Sequence, residues 1–294
     1  MTATAIFFGA AAFCLGLIVG SFLNVCIYRL PREESIVYPP SHCPRCYQPI
    51  RAEDNIPVLS WFLLRGRCRF CGGRISFVYP AVEFFTGVLF VLFYWRFVTR
   101  DVPPTILPPA PRFVAYMGAL YFVHMAFICA LFVATVVDFK CLIIPDEISI
   151  GGTILGVAAS FVFPQIHRSA LFPAHPHLSS LGASLAGAAV GAFLIWAIGA
   201  AGKVIFRKEA MGLGDVKLMA MIGAFLGWQL VIFVLLFSAF LGAIYGAVHL
   251  AVTGRSKIPY GPFLSTAAVV SVIFRWEVAG FLGRMIQTYR FFLL

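Results

Sequence analysis

Long apolar segments alternate with short polar connections along most of the chain, and this pattern limits the possible fold more than any other feature. A helix that crosses a bilayer needs about 20 mostly apolar residues. Eight segments approach or reach that length, at roughly 5–28, 78–98, 113–137, 147–163, 181–202, 212–227, 230–252 and 262–283. Only 12% of the residues are charged, whereas a typical soluble domain has about 25%. We therefore predict an all-α polytopic membrane protein with about eight transmembrane helices.

The basic residues between these segments predict how the chain crosses the membrane. Connections on one side contain fifteen of the 22 lysines and arginines. These are eight arginines within residues 29–80, together with Lys140, Lys203, Arg207, Lys208, Lys217, Arg255 and Lys257. The positive-inside rule makes this side cytoplasmic, so both termini are expected in the periplasm. Because the charges separate apolar segments and do not form one basic stripe, we expect no nucleic-acid partner.

Four cysteines predict a metal site in the first long connection. Cys43 and Cys46 form one C-x2-C pair, and Cys68 and Cys71 form a second pair 21 residues later. This spacing is typical of a structural zinc site with four thiolates. Reduced free thiols and a redox pair are the alternatives, and a reducing cytoplasm argues against two disulfides. We expect a first helix at 1–29, a cytoplasmic zinc-binding domain at 30–78 and a membrane domain at 79–294.

Two aspartates lie at the predicted cytoplasmic ends of apolar segments. Asp138 ends the third segment, and Asp215 lies near the start of the sixth, after Gly212 and Gly214. A carboxylate at membrane depth is costly and indicates a functional site. The topology places both at similar depth, and the glycines permit close backbone approach. Two carboxylates in one site can share a proton and activate a water molecule for attack on a carbonyl carbon.

The two aspartates could instead form structural ion pairs or carry protons through the membrane. Asp215 can pair with Lys217, and Asp138 can pair with Lys140 or cap a helix end, although residues two apart on a helix do not face each other. A proton-coupled transporter would also need carboxylates within the membrane. Inverted repeats would favour the transporter, and the sequence shows none.

Three further acidic residues lie near apolar segments. Asp146 and Glu147 follow Pro145, and we expect them to cap a helix and interact favourably with its dipole. Glu83 lies inside the second segment, and its role is left open by the sequence.

Several motifs occur in order along nearly the whole chain. They are Gly20-Ser21-Phe22-Leu23-Asn24-Val25, the four cysteines, Asn55-Ile56-Pro57-Val58-Leu59-Ser60-Trp61, Leu64-Arg65-Gly66-Arg67-Cys68, Tyr79-Pro80-Ala81-Val82-Glu83, Asp138 with Ile144-Pro145-Asp146, Gly212-Leu213-Gly214-Asp215, and Ile258-Pro259-Tyr260-Gly261-Pro262-Phe263. Together they resemble the bacterial type IV prepilin peptidases, which are GxGD intramembrane aspartyl proteases.

This resemblance implies a function and a set of site residues. It implies that Asp138 and Asp215 are catalytic, that Gly212 and Gly214 support them, and that Cys43, Cys46, Cys68 and Cys71 bind zinc. The implied substrates are type IV prepilins and type II secretion pseudopilins, cleaved after a glycine at the bacterial inner membrane. The implied second activity is N-methylation of the new terminus from S-adenosylmethionine, and Gly66 belongs to a motif linked with it. The alternative is a GxGD protease that cleaves other membrane proteins and lacks methyltransferase activity.

Overall fold

The computed structural model describes residues 3–97, 111–167, 174–207, 211–254 and 258–280, apart from residues 276 and 279. Lys208, Arg255, Lys257 and the end of the eighth apolar segment lie outside the described residues. Within the described ranges the regular structure is helical, and the extended pairing is limited to two isolated bridges. The prediction of an all-α protein is therefore confirmed.

Each of the eight apolar segments contains a helix, and a ninth, short helix lies in the first long connection. In chain order the α-helices of the described residues are α1 (Ala3–Arg29), α2 (Leu59–Leu63), α3 (Val78–Arg96), α4 (Pro111–Cys141), α5 (Asp146–Val162), α6 (Pro176–Phe206), α7 (Leu213–Leu226), α8 (Trp228–Thr253) and α9 (Gly261–Ile273). Five of these, α1, α3, α4, α6 and α8, are long and apolar enough to cross a membrane. Helices α5, α7 and α9 have 17, 14 and 13 residues and are shorter than a full span. The protein is thus a multi-pass membrane protein with five long and three short apolar helices among the described residues.

The chain forms two compact units, residues 1–129 and 130–294. In the first unit, small residues bring α1 and α3 into close contact. A β-carbon added to Gly16 would lie 2.7 Å from the Cα of Gly87, and one added to Gly20 would lie 2.7 Å from the Cα of Glu83. Because the contacts run in opposite sequence directions, the two helices are antiparallel. Glycines four residues apart permit this approach in a membrane, where dispersion contacts drive helix association.

In the second unit, α7 forms the centre of the helix packing. The side chains of Leu218, Met219, Met221 and Ile222 are fully buried, so α7 contacts protein on most of its surface. Glycines again set the spacing, since a β-carbon on Gly223 would lie 2.1 Å from a carbonyl oxygen of α6. The short length of α7 is consistent with this position, because a helix enclosed by protein need not match the thickness of the bilayer.

Candidate functional site

The C-terminal end of α4 places Asp138 against the first residue of α9. The Asp138 side chain is buried, and its Oδ2 accepts a hydrogen bond from the Gly261 N–H at 2.9 Å. The first N–H groups of a helix have no partner within that helix, and they carry the positive end of its dipole. The backbone of α9 therefore supplies a donor and a favourable potential to the Asp138 carboxylate.

The first turn of α7 places Asp215 at the other side of the site. Its Oδ2 accepts a hydrogen bond from the Gly212 N–H at 3.3 Å, which fixes the carboxylate close to the start of its own helix. The start of α7, which holds Asp215, and the start of α9, which holds the Gly261 partner of Asp138, both pack against Ile144. Two residues that are distant in sequence thus share one polar site within the second unit.

Ile144, in the loop between α4 and α5, forms the apolar floor of this site. A β-carbon on Gly214 would lie 3.2 Å from the Cβ of Ile144, and one on Gly261 would lie 3.2 Å from its Cδ1. The same β-carbon on Gly261 would lie 2.7 Å from the Oδ2 of Asp138. A β-carbon at Gly261 would force a displacement, and one at Gly214 would require Ile144 to move by a few tenths of an ångström, because the starts of α7 and α9 approach the α4–α5 loop so closely.

Lys217 pairs with Asp146, and not with the Asp215 that lies two residues before it. Its Nζ donates to both carboxylate oxygens of Asp146, at 2.7 and 2.8 Å. The interpretation that Lys217 neutralises Asp215 is therefore not supported by this geometry. Asp146 and Glu147 lie in the first turn of α5, where their charge suits the helix dipole, but the expectation that they cap the helix was wrong, because Pro145 is the capping residue and no side chain bonds to the first N–H groups. The ion pair joins the starts of α5 and α7 beside the two aspartates.

Two residues of the site belong to the Ile258–Phe263 motif but received no role from the sequence. Gly261 donates to Asp138, and Tyr260 precedes Gly261 at the start of α9. The Tyr260 hydroxyl is also hydrogen-bonded to the Ser238 hydroxyl at 2.9 Å. The Pro-Tyr-Gly-Pro run does predict a tight turn at the start of a helix. It does not predict which distant side chain contacts that turn.

In the first unit, the four cysteines lie on two similar turns. The N–H of Cys43 donates to Gln48 at 3.0 Å, and the N–H of Cys68 donates to Gly73 at 2.8 Å. After each pair the chain adopts a positive φ, at Tyr47 and at Gly72. This repeated turn directs both sulfurs of a pair to the same side.

The sulfur atoms have the spacing that a tetrahedral metal ion requires. All four Sγ atoms lie within 4.8 Å of one another, and those of Cys43 and Cys71 are 3.9 Å apart. Zinc with Zn–S bonds of about 2.3 Å places its sulfurs about 3.8 Å apart. Although burial opposes ionisation, hydrogen bonds from the Arg45 and Cys46 N–H groups and from neighbouring thiols lower the pKa of Cys43 to about 7. The cluster can therefore hold a metal ion through four protein ligands.

Gly66 lies behind Trp61 in the cysteine domain. Its φ is +66°, and a β-carbon there would lie 3.0 Å from the indole ring. The Trp61 Nε1 donates to the Ile75 carbonyl at 3.1 Å, and this hydrogen bond holds the indole ring against the backbone of Ile75. Gly66 thus has a clear conformational reason to be glycine, and it positions an aromatic ring.

Glu83 connects α3 with the cysteine domain. Its Oε2 accepts a hydrogen bond from the Val58 N–H at 2.6 Å, and the Ser21 hydroxyl also hydrogen-bonds to the carboxylate. The structure thus gives partners to a residue whose role the sequence left open.

The fold and these two centres define a class: polytopic helical membrane proteins with a four-cysteine domain and a pair of neighbouring aspartates. Comparison with known proteins identifies the family within that class. Residues 14–97 match the bacterial peptidase A24 N-terminal domain, and residues 125–247 match the type IV leader peptidase family. No solved structure matches the chain.

Curated relatives cover nearly the whole chain. It is 33% identical to a prepilin leader peptidase/N-methyltransferase of Aeromonas hydrophila, over 92% of this chain and 93% of that protein. It is 32% identical to a protein of the same name from Pseudomonas putida, over 92% of both chains. A Myxococcus xanthus protein of that name is 37% identical, and the match covers 85% of this chain and 65% of the relative. The chain belongs to the type IV leader peptidase family.

Proposed function

We propose that this protein is a prepilin leader peptidase of the bacterial inner membrane that also N-methylates its product. The substrates are type IV prepilins and pseudopilins, which enter with a basic leader in the cytoplasm and an apolar helix in the bilayer. The observation that carries the proposal is the convergence of Asp138 and Asp215 at the adjoining ends of α4, α7 and α9. Such a site suits a bond that lies at the membrane boundary.

The proposed chemistry uses the two aspartates as a pair. Like charges in one site cannot both ionise easily, so one carboxyl group keeps a proton while the other accepts a proton from water. The resulting hydroxide attacks the scissile carbonyl carbon while the protonated partner donates its proton to the developing oxyanion. The carboxyl group that took the proton from water then donates it to the leaving amine, and the partner recovers its own proton from a hydroxyl of the tetrahedral intermediate as that intermediate collapses. The carbonyl–nitrogen bond breaks, and each product receives the proton that its new terminus needs. Gly212 and Gly214 leave room for an extended substrate backbone beside Asp215.

The cysteine domain, residues 30–78, has a structural role in this proposal. Zinc bound by Cys43, Cys46, Cys68 and Cys71 would have no open coordination position, so it would stabilise two turns without taking part in catalysis. A domain of about fifty residues has a small core, and such domains commonly depend on a metal or a disulfide. The remaining residues, 79–294, form the membrane domain that carries the aspartates.

The methyl-transfer half requires a donor. S-adenosylmethionine supplies a methyl group on a sulfonium; transfer to the uncharged terminal amine yields an N-methyl terminus, S-adenosylhomocysteine and a proton. The fifteen basic residues predict that the methyl-transfer site and the zinc domain face the cytoplasm, which is the compartment that contains S-adenosylmethionine.

Cleavage and methylation are tested together on one purified substrate. The full-length protein in lipid is incubated with a prepilin that carries glycine before the cleavage site, with and without S-adenosylmethionine. Mass spectrometry of the product should show loss of the leader in both samples and one added methyl group only with the donor. Cleavage without methylation reduces the function to a peptidase, and an intact prepilin in both samples rejects the proposal.

A further inference from the structure

A cavity of about 410 Å³ lies in the first unit, between the cysteine domain and the adjoining ends of α1 and α3. Helix α1 contributes Asn24 and Tyr28, α3 contributes Tyr79 and Glu83, and the cysteine domain contributes Trp61. The volume falls within the range of small-molecule and cofactor sites, about 300–1,000 Å³. Its wall combines apolar and aromatic surface with a few polar groups, which is the usual composition of such sites.

Trp61 provides a rigid aromatic wall. Its ring makes edge contacts with Phe62 and Phe77 at centroid distances of 5.2 and 5.4 Å. Its Nε1 is bonded to the Ile75 carbonyl, and Gly66 lies against the ring from behind. An aromatic side chain held in one orientation can stack on a planar heterocycle or lie against a cation without losing conformational freedom on binding.

Glu83 supplies a carboxylate to the wall of the cavity. Its partners are the Val58 N–H and the Ser21 hydroxyl, which fix its orientation but leave its charge uncompensated. The described part of the chain places no basic side chain in an ion pair with it. The other carboxylate of the wall, Asp54, is already bound by Arg69 through two hydrogen bonds of 2.6 and 2.8 Å. Glu83 is therefore the group that would meet a cation in the cavity.

The wall of the cavity also contains basic residues. Arg45 and Arg74 line it, each from one of the two cysteine turns. A ligand that satisfies both kinds of group has positive charge beside Glu83 and negative charge beside the arginines. The basic leader of a prepilin lacks the second feature and would be repelled by the arginines, so it is a poor occupant.

We propose, on the basis of the methyltransferase half of the proposed function, that this cavity holds S-adenosylmethionine. The adenine ring lies against Trp61, the positively charged sulfonium faces Glu83, and the α-carboxylate faces Arg45 and Arg74. Tyr28 and Tyr79 complete the aromatic lining. Gly66 acts in this arrangement as a positioning residue for Trp61 and does not touch the ligand.

Equilibrium binding of two ligands to the full-length zinc-loaded protein tests the role of Glu83. S-adenosylmethionine carries the sulfonium charge, and S-adenosylhomocysteine has the same shape with a neutral sulfur. The Glu83→Gln variant keeps an oxygen that can accept from Val58. It should bind S-adenosylmethionine about tenfold more weakly, because a contact to a charged group becomes a neutral one, and it should bind S-adenosylhomocysteine almost unchanged. Glu34→Gln, which removes a charge outside the cavity, should match the unmodified protein with both ligands.

Photochemical cross-linking of the unmodified protein locates the site independently of any variant. Irradiation with radiolabelled S-adenosylmethionine followed by trypsin should label the peptides 52–65 and 75–96, which contain Trp61, Tyr79 and Glu83. Label confined to residues 130–294, or equal binding by Glu83→Gln and Glu34→Gln, would overturn the assignment. Absence of S-adenosylmethionine binding to the unmodified protein would overturn both this site and the methylation proposal. Leader cleavage in the same preparation would then still support the peptidase proposal.

Discussion

Replacing Gly261 with alanine should move Asp138 without removing any catalytic group. The new β-carbon would lie 2.7 Å from the Asp138 Oδ2, whereas ordinary contact begins near 3.4 Å, so the oxygen must retreat by about 0.7 Å. The hydrogen bond from the residue 261 N–H, now 2.9 Å, would then lengthen to as much as about 3.6 Å, which is beyond the limit for such a bond. Either rotation of the Asp138 carboxylate or displacement of α9 would relieve the clash. Either movement breaks the hydrogen bond between the residue 261 N–H and the Asp138 carboxylate.

The expected cost follows from this displacement. A misplacement of about 1 Å in a catalytic group can reduce the rate about 100-fold, so about 0.7 Å should reduce kcat/KM by about 10- to 100-fold. This corresponds to about 1.4–2.8 kcal/mol of transition-state stabilisation. Stability should change less than activity, because the clash falls on the end of the Asp138 side chain and φ at Gly261 is outside the left-handed region.

The assay is leader cleavage by purified enzyme at low substrate concentration, measured alongside thermal unfolding in detergent. Gly151→Ala is the matched control, since a β-carbon at that α5 position would contact nothing within 4 Å. We expect Gly151→Ala to retain the activity of the unmodified protein. If Gly261→Ala also cleaves within a factor of two of that rate, the close contact between α9 and Asp138 has no role in catalysis, and the reasoning is refuted.

Three further predictions concern the cysteine cluster, the ion pair between Lys217 and Asp146, and the packing of α6 against α7. Cys68→Ser, or treatment with a strong zinc chelator, should make the cysteine domain much more sensitive to trypsin; unchanged digestion would argue against a structural metal. A double-mutant cycle of Lys217→Gln and Asp146→Asn should give a coupling of about 1 kcal/mol or less in unfolding experiments, because the side chains are 38% and 57% exposed. A coupling of several kcal/mol would contradict this. Gly223→Ala should cost at least about 1–3 kcal/mol by forcing α6 and α7 apart, whereas Gly118→Ala, with nothing within 4 Å, should unfold like the unmodified protein; equal melting temperatures would reject the packing argument.

The features that the sequence predicted well depend on local pattern. Hydropathy located every apolar helix, and the C-x2-C spacing identified the cysteines whose sulfurs meet in one cluster. Loop charge supplied the expectation that Asp138 and Asp215 lie near each other, and in the structure the helix starts that hold Asp215 and the Gly261 partner of Asp138 both pack against Ile144. Hydropathy alone could not show that α7 is enclosed by protein, because a buried core helix and a lipid-facing helix are equally apolar.

The features that the sequence did not predict are contacts between distant residues. Gly261 and Asp138 are separated by 123 positions, and Lys217 and Asp146 by 71. The sequence offered Asp215 as a local partner of Lys217, although residues two apart on a helix do not face each other, and the packing of α5 against α7 supplied Asp146 instead. The partners of Glu83 could not be predicted from the sequence either, because the Val58 N–H belongs to a loop 25 residues earlier. Such contacts depend on how helices meet, which hydropathy and spacing do not specify.

The central claim, that Asp138 and Asp215 act together in catalysis, is tested most directly by three Asn substitutions in one cleavage assay. Asp138→Asn and Asp215→Asn should each lower the rate of leader removal by about 100-fold or more, because either change removes a proton donor or acceptor of the pair. Asp146→Asn is the internal control, since this nearby acid is paired with Lys217, and it should cleave within about threefold of the unmodified protein. Substantial cleavage by either Asp138→Asn or Asp215→Asn, with the protein folded in the membrane, would contradict the account.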